Sequence, residues 1–189
     1  MDDALVRRAA RGDAEAFDAL ARDRIDRLFA LAYRILRDHH DAEDAVQLAL
    51  WTAWSDLPGL RDPDRFDAWL YRLVVRCCYR ASRTRRRRAE IVRLTPDVDD
   101  LPNAPASVPE TDAVVARDAV ERAFLALGTE HRAVVVLHHY LGLGLDEVAR
   151  VLEIPHGTAR SRLHYALQRM RAAVEPPAAE PVPSSRAVR

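Results

Sequence analysis

Lysine is missing altogether from the 189-residue chain, so all 29 basic residues are arginine, balanced by 29 acids to a formal net charge of +0. With alanine also abundant, this points to a GC-rich coding sequence and only weakly to arginine chemistry. The neutral total argues against an indiscriminate polyanion binder. Cysteine is nearly absent: Cys77 and Cys78 are adjacent, cannot form an ordinary structural bridge with each other, and have no other thiol to pair with. That excludes a disulfide-stapled domain and suits a reducing cytosol. No apolar run approaches the roughly 18 residues of a membrane span, and Met1-Asp2-Asp3 is acidic where a signal peptide would be basic. A cytoplasmic protein without membrane insertion is expected. β-branched residues are sparse in the first half, which leaves scarcely any strand signal, and no glycine-rich loop of the phosphate-cradling kind occurs.

At 49% hydrophobic and 31% charged the chain is apolar enough to fold, and its length allows one ordinary core or two small ones. The neutral total hides an uneven distribution. From Trp69 to Arg93 nine arginines stand against one acid, Glu90, and from Leu94 to Glu121 seven acids stand against Arg117. Leu5, Ala9, Phe17, Leu20, Ile25, Leu28, Leu31, Ala32 and Ile35 recur at helical spacing, with Gly12-Asp13 as a break and cap. Asp41 is placed to cap a helix with Val46, Ala49, Leu50, Ala53, Trp54 and Leu57 as its stripe, ended by Pro58-Gly59. Phe66, Trp69, Leu70, Leu73 and Val74 open another that runs into the arginine block. The expected fold is all-α: two small helical domains, 1–88 and 113–173, joined by a flexible acidic, proline-rich linker, 89–112, and followed by a disordered proline-rich tail, 174–189.

The most specific local signal runs from Leu145 to Leu163: a short helix, a tight turn around Glu153-Ile154, and a second helix opened by Pro155-His156-Gly157. This is the layout of a helix-turn-helix. At about 100° per residue, Ala159, Leu163, Ala166, Leu167 and Met170 share one face of the second helix. Thr158, Ser161, Arg162, Tyr165, Gln168 and Arg169 are left for the free side. Hydrogen-bonding side chains and arginines, with no acid from 154 to 174, suit base edges and phosphates in a major groove. The bland alternative is an amphipathic helix with a solvated polar face. Val120, Ala123, Phe124 and Leu127, then Val134, Val135, Leu137 and Leu141, supply two further amphipathic helices to cover the back. His131, His138 and His139 have no cysteine or carboxylate at metal-ligand spacing and read as surface or boundary residues.

In the first half, Asp44, Gln47 and Trp51 share one helical face. Asp41, Glu43 and Asp44 lie where acids favour the positive end of a helix dipole, so capping outweighs a catalytic or magnesium reading of the carboxylates beside His39-His40. A tryptophan on that face points to a protein partner. Downstream, Phe66, Trp69, Tyr71 and Tyr79 interleave with Arg72, Arg76, Arg80, Arg83 and Arg85 to Arg88. Cations that follow a backbone and aromatics that accept unpaired bases are what single-stranded DNA binding needs. In the structural alternative, Phe66, Trp69 and Leu73 are core and the arginines a solvated face.

With both constellations in view, the chain resembles the extracytoplasmic-function (ECF) class of the sigma-70 family over roughly residues 3 to 88 and 113 to 173. Asp-Ala-Glu-Asp-Ala-Val-Gln at 41 to 47 is similar to the polymerase-binding helix of region 2.2. Phe66 to Arg88, around Ala68-Trp69-Leu70-Tyr71-Arg72, is similar to regions 2.3 and 2.4, and Leu145 to Arg171 to region 4.2, whose Gly-Thr-Val-Lys/Arg-Ser-Arg run is matched by Gly157-Thr158-Ala159-Arg160-Ser161-Arg162. The resemblance implies a promoter-specificity subunit and not an enzyme. Asp41, Asp44, Gln47 and Trp51 would dock on core RNA polymerase. Phe66, Trp69, Tyr71, Arg72, Arg76, Tyr79, Arg80 and Arg83 would hold the single-stranded −10 DNA, and Thr158, Arg160, Ser161, Arg162, Tyr165 and Arg169 the −35 duplex. It implies an anti-sigma factor as regulatory partner, and no cofactor or metal of the chain's own. The family commonly has asparagine at the position of Arg76, often an acid at Arg80, glycine at Glu153 and arginine at Tyr165. Glu153 should therefore either strain the turn or stay out of the left-handed region. The rivals are an ordinary helix-turn-helix regulator with an N-terminal dimerisation or sensor domain, and a nuclease using Asp41, Glu43 and His39.

Overall fold

The computed structural model describes residues 3–94 and 112–174. Eight α-helices form the described residues: α1 (Asp3–Ala9), α2 (Ala14–Leu36), α3 (His39–Asp56), α4 (Phe66–Leu94), α5 (Asp112–Leu125), α6 (Thr129–Val135), α7 (Leu145–Leu152) and α8 (His156–Val174). Among these residues there is no strand, and no helix is long and apolar enough to cross a membrane. Linker residues 95–111 and tail residues 175–189 lie outside the description. The first six residues assigned to the linker, 89–94, continue α4 as helix, and α5 begins at the linker's expected last residue, Asp112.

Local chemistry fixes the first half. Gly12 adopts a φ of 91°, a conformation that costs a residue without Cβ little, and Asp13 then caps α2 by accepting from the Ala16 N–H at 3.0 Å. The cap of α3 is Asp38 and not Asp41: the Asp38 carboxylate accepts from the Asp41 N–H at 3.0 Å, and Asp41 falls inside the first turn. Arg37, at φ 59°, makes the sharp exit from α2 that sets this start. Ala42, Ala45, Ala49 and Ala53 are buried on α3. Side chains this small allow α2 and α4 to approach closely on either side. Leu28, Leu31 and Ile35 of α2 meet Phe66, Leu70 and Val74 of α4 there. Ile25, expected in the stripe, is instead 44% exposed. Arg24 ties the start of α4 to α2, its Nε donating to Asp67 at 2.6 Å with the guanidinium over the Phe66 ring.

The second half is built from shorter pieces. α6 passes into a π-helical turn, Val136–Tyr140, that the sequence does not announce. Gly142, at φ 71°, turns the chain, and His138 Nδ1 lies 2.7 Å from the Leu143 carbonyl to hold that loop. Val134, Leu137, Val148, Val151, Ala159, Leu163 and Ala166 form the core, so the apolar face assigned to α8 is the packed one, with Leu167 and Met170 half-buried at its rim. The two halves pack against each other through α4 on α7 and α2 on α6, and their cores are continuous.

Candidate functional site

On α3, Asp44, Gln47 and Trp51 are exposed, and Trp51 leaves 73% of its surface free. Asp41 is set apart from them: half-buried, it faces Arg85 of α4 at 3.8 Å, beside an Arg85–Asp38 approach of 3.7 Å. Trp54, one turn from Trp51, packs its ring on Phe17 at 5.2 Å and is structural. His39 and Glu43 approach to 3.5 Å on the surface. Among the described residues no three His, Cys, Asp or Glu side chains converge as metal ligands would.

The aromatics of α4 divide. Phe66 is 1% exposed and Tyr71 7%, both built into the core, so neither can offer a face to an unpaired base without unfolding its surroundings; their assignment to −10 contacts is corrected. At helical spacing Phe66, Leu70, Leu73 and Val74 form the wall against α2 and α3, and Tyr71 lies beneath Arg27, whose guanidinium is 5.8 Å from its ring. Burial raises the Tyr71 pKa, which keeps the phenol neutral. Trp69 is half-buried against the core, 5.9 Å from the Phe66 ring. Tyr79 lies at the edge. Its hydroxyl is buried without a hydrogen-bond partner and its pKa is raised by burial, while the residue lines an open groove with Arg76, Arg80, Arg83, Thr84 and Arg87. Of the run Arg85 to Arg88, Arg87 is the one that lines this groove, continuing the helical spacing of Arg76, Arg80 and Arg83. The groove is cationic and follows one helix, the shape needed to track a nucleic-acid backbone. Cys77 and Cys78 are free thiols whose pKa values burial raises, so neither is an activated nucleophile.

In the helix-turn-helix, Glu153 does occupy the left-handed region, at φ 54° and ψ 43°. Its N–H closes α7 onto the Ala149 and Arg150 carbonyls, so the strain is accepted where the turn requires it. Arg160, Ser161, Tyr165 and Arg169 are exposed on α8 and Thr158 is partly so. Ser161 donates to the Thr158 carbonyl at 3.1 Å. Arg162 is engaged differently: it pairs with Glu130 of α6 and is only 23% exposed. Tyr165 leans on His131, ring centroids 4.7 Å apart. Neither contact had a local signal, because α6 and α8 are distant in sequence. The two departures Arg76 and Glu153 face one another, Arg76 Nη2 donating to Glu153 Oε2 at 2.5 Å, and Arg72 Nη1 reaches Glu153 Oε1 at 3.2 Å.

Residues 20–88 match sigma-70 region 2 and residues 117–170 match sigma-70, region 4. The chain is 34% identical over 159 residues to the ECF RNA polymerase sigma factor SigM of Mycobacterium tuberculosis, covering 84% of this chain and 77% of that one. It belongs to the ECF sigma factors of RNA polymerase. Similarity to the ECF sigma factor SigE of Mycolicibacterium smegmatis is 31% over 169 residues, 86% of this chain, and spans 64% of that relative's length, just under two thirds. Among solved structures, CnrH in complex with the cytosolic domain of CnrY matches with a TM-score of 0.62 and 26% identity, over 90% of this chain and 95% of that one. An ordinary helix-turn-helix regulator would leave the region 2 match of α2 to α4 without explanation. As a sigma factor, the chain directs core polymerase to promoters to initiate transcription.

Proposed function

We propose a division of labour for this sigma factor in which α3 docks on polymerase, α4 holds the melted −10 strand and α8 reads the −35 duplex. The observation that carries it is the groove along α4, where Arg76, Arg80, Arg83 and Arg87 line up beside Tyr79 on the helix next to the exposed Trp51 face. Asp44, Gln47 and Trp51 form the polymerase contact. Desolvating an exposed tryptophan at a protein surface is worth more than any neighbouring polar contact, and Asp41, turned to Arg85, supports the helix instead. On α4 the arginines follow phosphates, with Tyr79 and the exposed edge of Trp69 as the aromatics available to bases. On α8, Arg160 and Arg169 are free for bases or phosphates, Tyr165 presents a ring edge, and Arg162 positions the helix through Glu130.

Residues 1–88 act as the polymerase and −10 domain, 89–112 as an acidic strap through the polymerase cleft, and 113–173 as the −35 domain. Phosphodiester chemistry and its magnesium belong to polymerase, so the chain is not itself an enzyme. It works in the cytoplasm and is restrained by an anti-sigma factor; CnrH, similar in fold and sequence, is held by the cytosolic domain of another protein. Run-off transcription with core polymerase on a random promoter library, with permanganate footprinting of −10 thymines, tests the assignment. Promoter opening that depends on both polymerase and the α4 arginines is expected. Tight duplex binding by the isolated chain with no opening by the holoenzyme would overturn it.

A further inference from the structure

The groove on α4 is already occupied at one end by the chain itself. Glu153 projects from the tip of the helix-turn-helix, where its left-handed backbone sets it between α7 and α8, and its two carboxylate oxygens divide between Arg72 at 3.2 Å and Arg76 at 2.5 Å. A carboxylate shared by two guanidinium groups uses the same donors that would grip a backbone phosphate. Arg72 is half-buried and its Nε is without a hydrogen-bond partner, so this guanidinium is only partly satisfied by Glu153. Around this contact, polar groups of the two halves add to the apolar packing between them. Ser82 and Thr129 hydroxyls are 2.7 Å apart, the Arg34 guanidinium lies 3.8 Å from the centre of the Tyr140 ring, and Arg37 pairs with Glu121. Partly exposed ion pairs of this kind are individually weak and screened by salt, so the polar share of the closure is open to competition by a phosphate.

We propose that Glu153 is an intramolecular substitute for a DNA phosphate: it clasps the −35-reading domain onto Arg72 and Arg76 in the polymerase-free chain, and must let go before those arginines can hold a single strand. This rests on the assignment of α4 to the −10 strand. One carboxylate and one phosphate cannot occupy the same pair of guanidinium groups together, so closing the chain and binding the strand exclude each other. The sigma factor is thereby kept from engaging nucleic acid until an open arrangement is imposed on it.

The test uses the full chain at low ionic strength, with small-angle X-ray scattering for closure and fluorescence anisotropy of a short labelled single-stranded oligonucleotide for binding. Glu153→Gln keeps the side-chain shape and removes the charge. It is expected to expand the particle and tighten oligonucleotide binding by roughly three- to ten-fold, the scale set by two partly exposed ion pairs. Arg76→Glu is expected to expand the particle too, and Arg76→Glu combined with Glu153→Arg to return it to the compact form, which separates a specific ion pair from general damage; circular dichroism checks folding of each. Unchanged scattering in Glu153→Gln overturns the clasp, and expansion without tighter binding overturns its competition with the strand. Arg72→Gln with Arg76→Gln, binding the oligonucleotide as well as wild type does, would remove the −10 assignment of α4, while expansion of Glu153→Gln would then still establish the closure.

Discussion

The two halves solve the same problem, presenting cations to DNA from a small helical core, in different ways. In the first, one long helix is both wall and tool: α4 buries Phe66, Leu70, Val74 and Cys78 along one side and carries Arg76, Arg80, Arg83 and Arg87 along another. Its helices are started by aspartates, Asp13 on α2 and Asp38 on α3. In the second, wall and tool are more separate. α6 and α7 are short and start at Gly128 and Gly144, which have no side-chain cap to give, though Glu147 accepts from the Gly144 N–H at 2.9 Å. Their service is to hold α8 with its polar face outward. Both DNA-facing helices also carry core, α8 through Ala159, Leu163 and Ala166, but α8 is braced by the shorter helices around it, whereas α4 is itself a main wall of its half.

The sharpest way to break that contrast lies within the first half. Phe66→Ala should cost about 3–5 kcal/mol through the cavity it opens, enough to unfold much of a domain of ordinary stability, and chemical denaturation would read it directly. Trp51→Ala, one helix away, should leave the denaturation midpoint almost untouched and instead cost about 2 kcal/mol or more in affinity for core polymerase. Equal losses of stability in the two variants would mean that Trp51 is structural and the α3 face is not an interface.

These residues also show what the sequence could reveal. The helices, the break at Gly12 and the helix-turn-helix were legible because each is set by spacing or by a turn residue a few positions away. The apolar face of α8 was legible for the same reason. The aromatics of α4 were not: at 3.6 residues per turn Phe66, Trp69, Tyr71 and Tyr79 fan around the helix, and only the positions of α2 and α3 decide that Phe66 and Tyr71 are buried while Tyr79 reaches the groove. The pairing of Arg162 with Glu130, the Tyr165–His131 contact and the reach of Glu153 to Arg76 are likewise tertiary, joining residues with no local relation. The π-helical turn after α6 carries no signature in Val136–Tyr140 that separates it from ordinary helix.

In the second half, Arg160→Ala should cost about 1–3 kcal/mol on one −35 sequence and relax preference at one base pair if the side chain reads a base edge. If it reads phosphate, all sequences should weaken alike and the salt slope should fall by about one. Binding isotherms on a set of single-base variants at several salt concentrations separate these, and no change on any of them would remove Arg160 from the interface. A smaller effect is expected from the caps. Asp13→Ala should destabilise the first half by about 1 kcal/mol, while Asp13→Asn should retain most of the capping.

The smallest expected effect is a pH dependence confined to the second half. His131 is held below the ordinary histidine pKa chiefly by partial burial, with the positive charge of Arg162 adding to the shift and Glu130 opposing it. Because the native state binds this proton less readily than the unfolded chain does, the contribution of His131 to stability is constant above the unfolded pKa, about 6.5. It is lost progressively as pH falls below that value toward the lower native pKa. Melting followed by a probe in the second half should thus weaken as pH falls below about 6.5, and His131→Gln should flatten that part of the slope while leaving the first half unaffected. Glu130→Gln sharpens the comparison, since it removes the one opposing charge and frees Arg162, and should lower the His131 pKa further. A slope unchanged by both substitutions would show that another group titrates and that the packing of His131 under Tyr165 is not what the second half loses in mild acid.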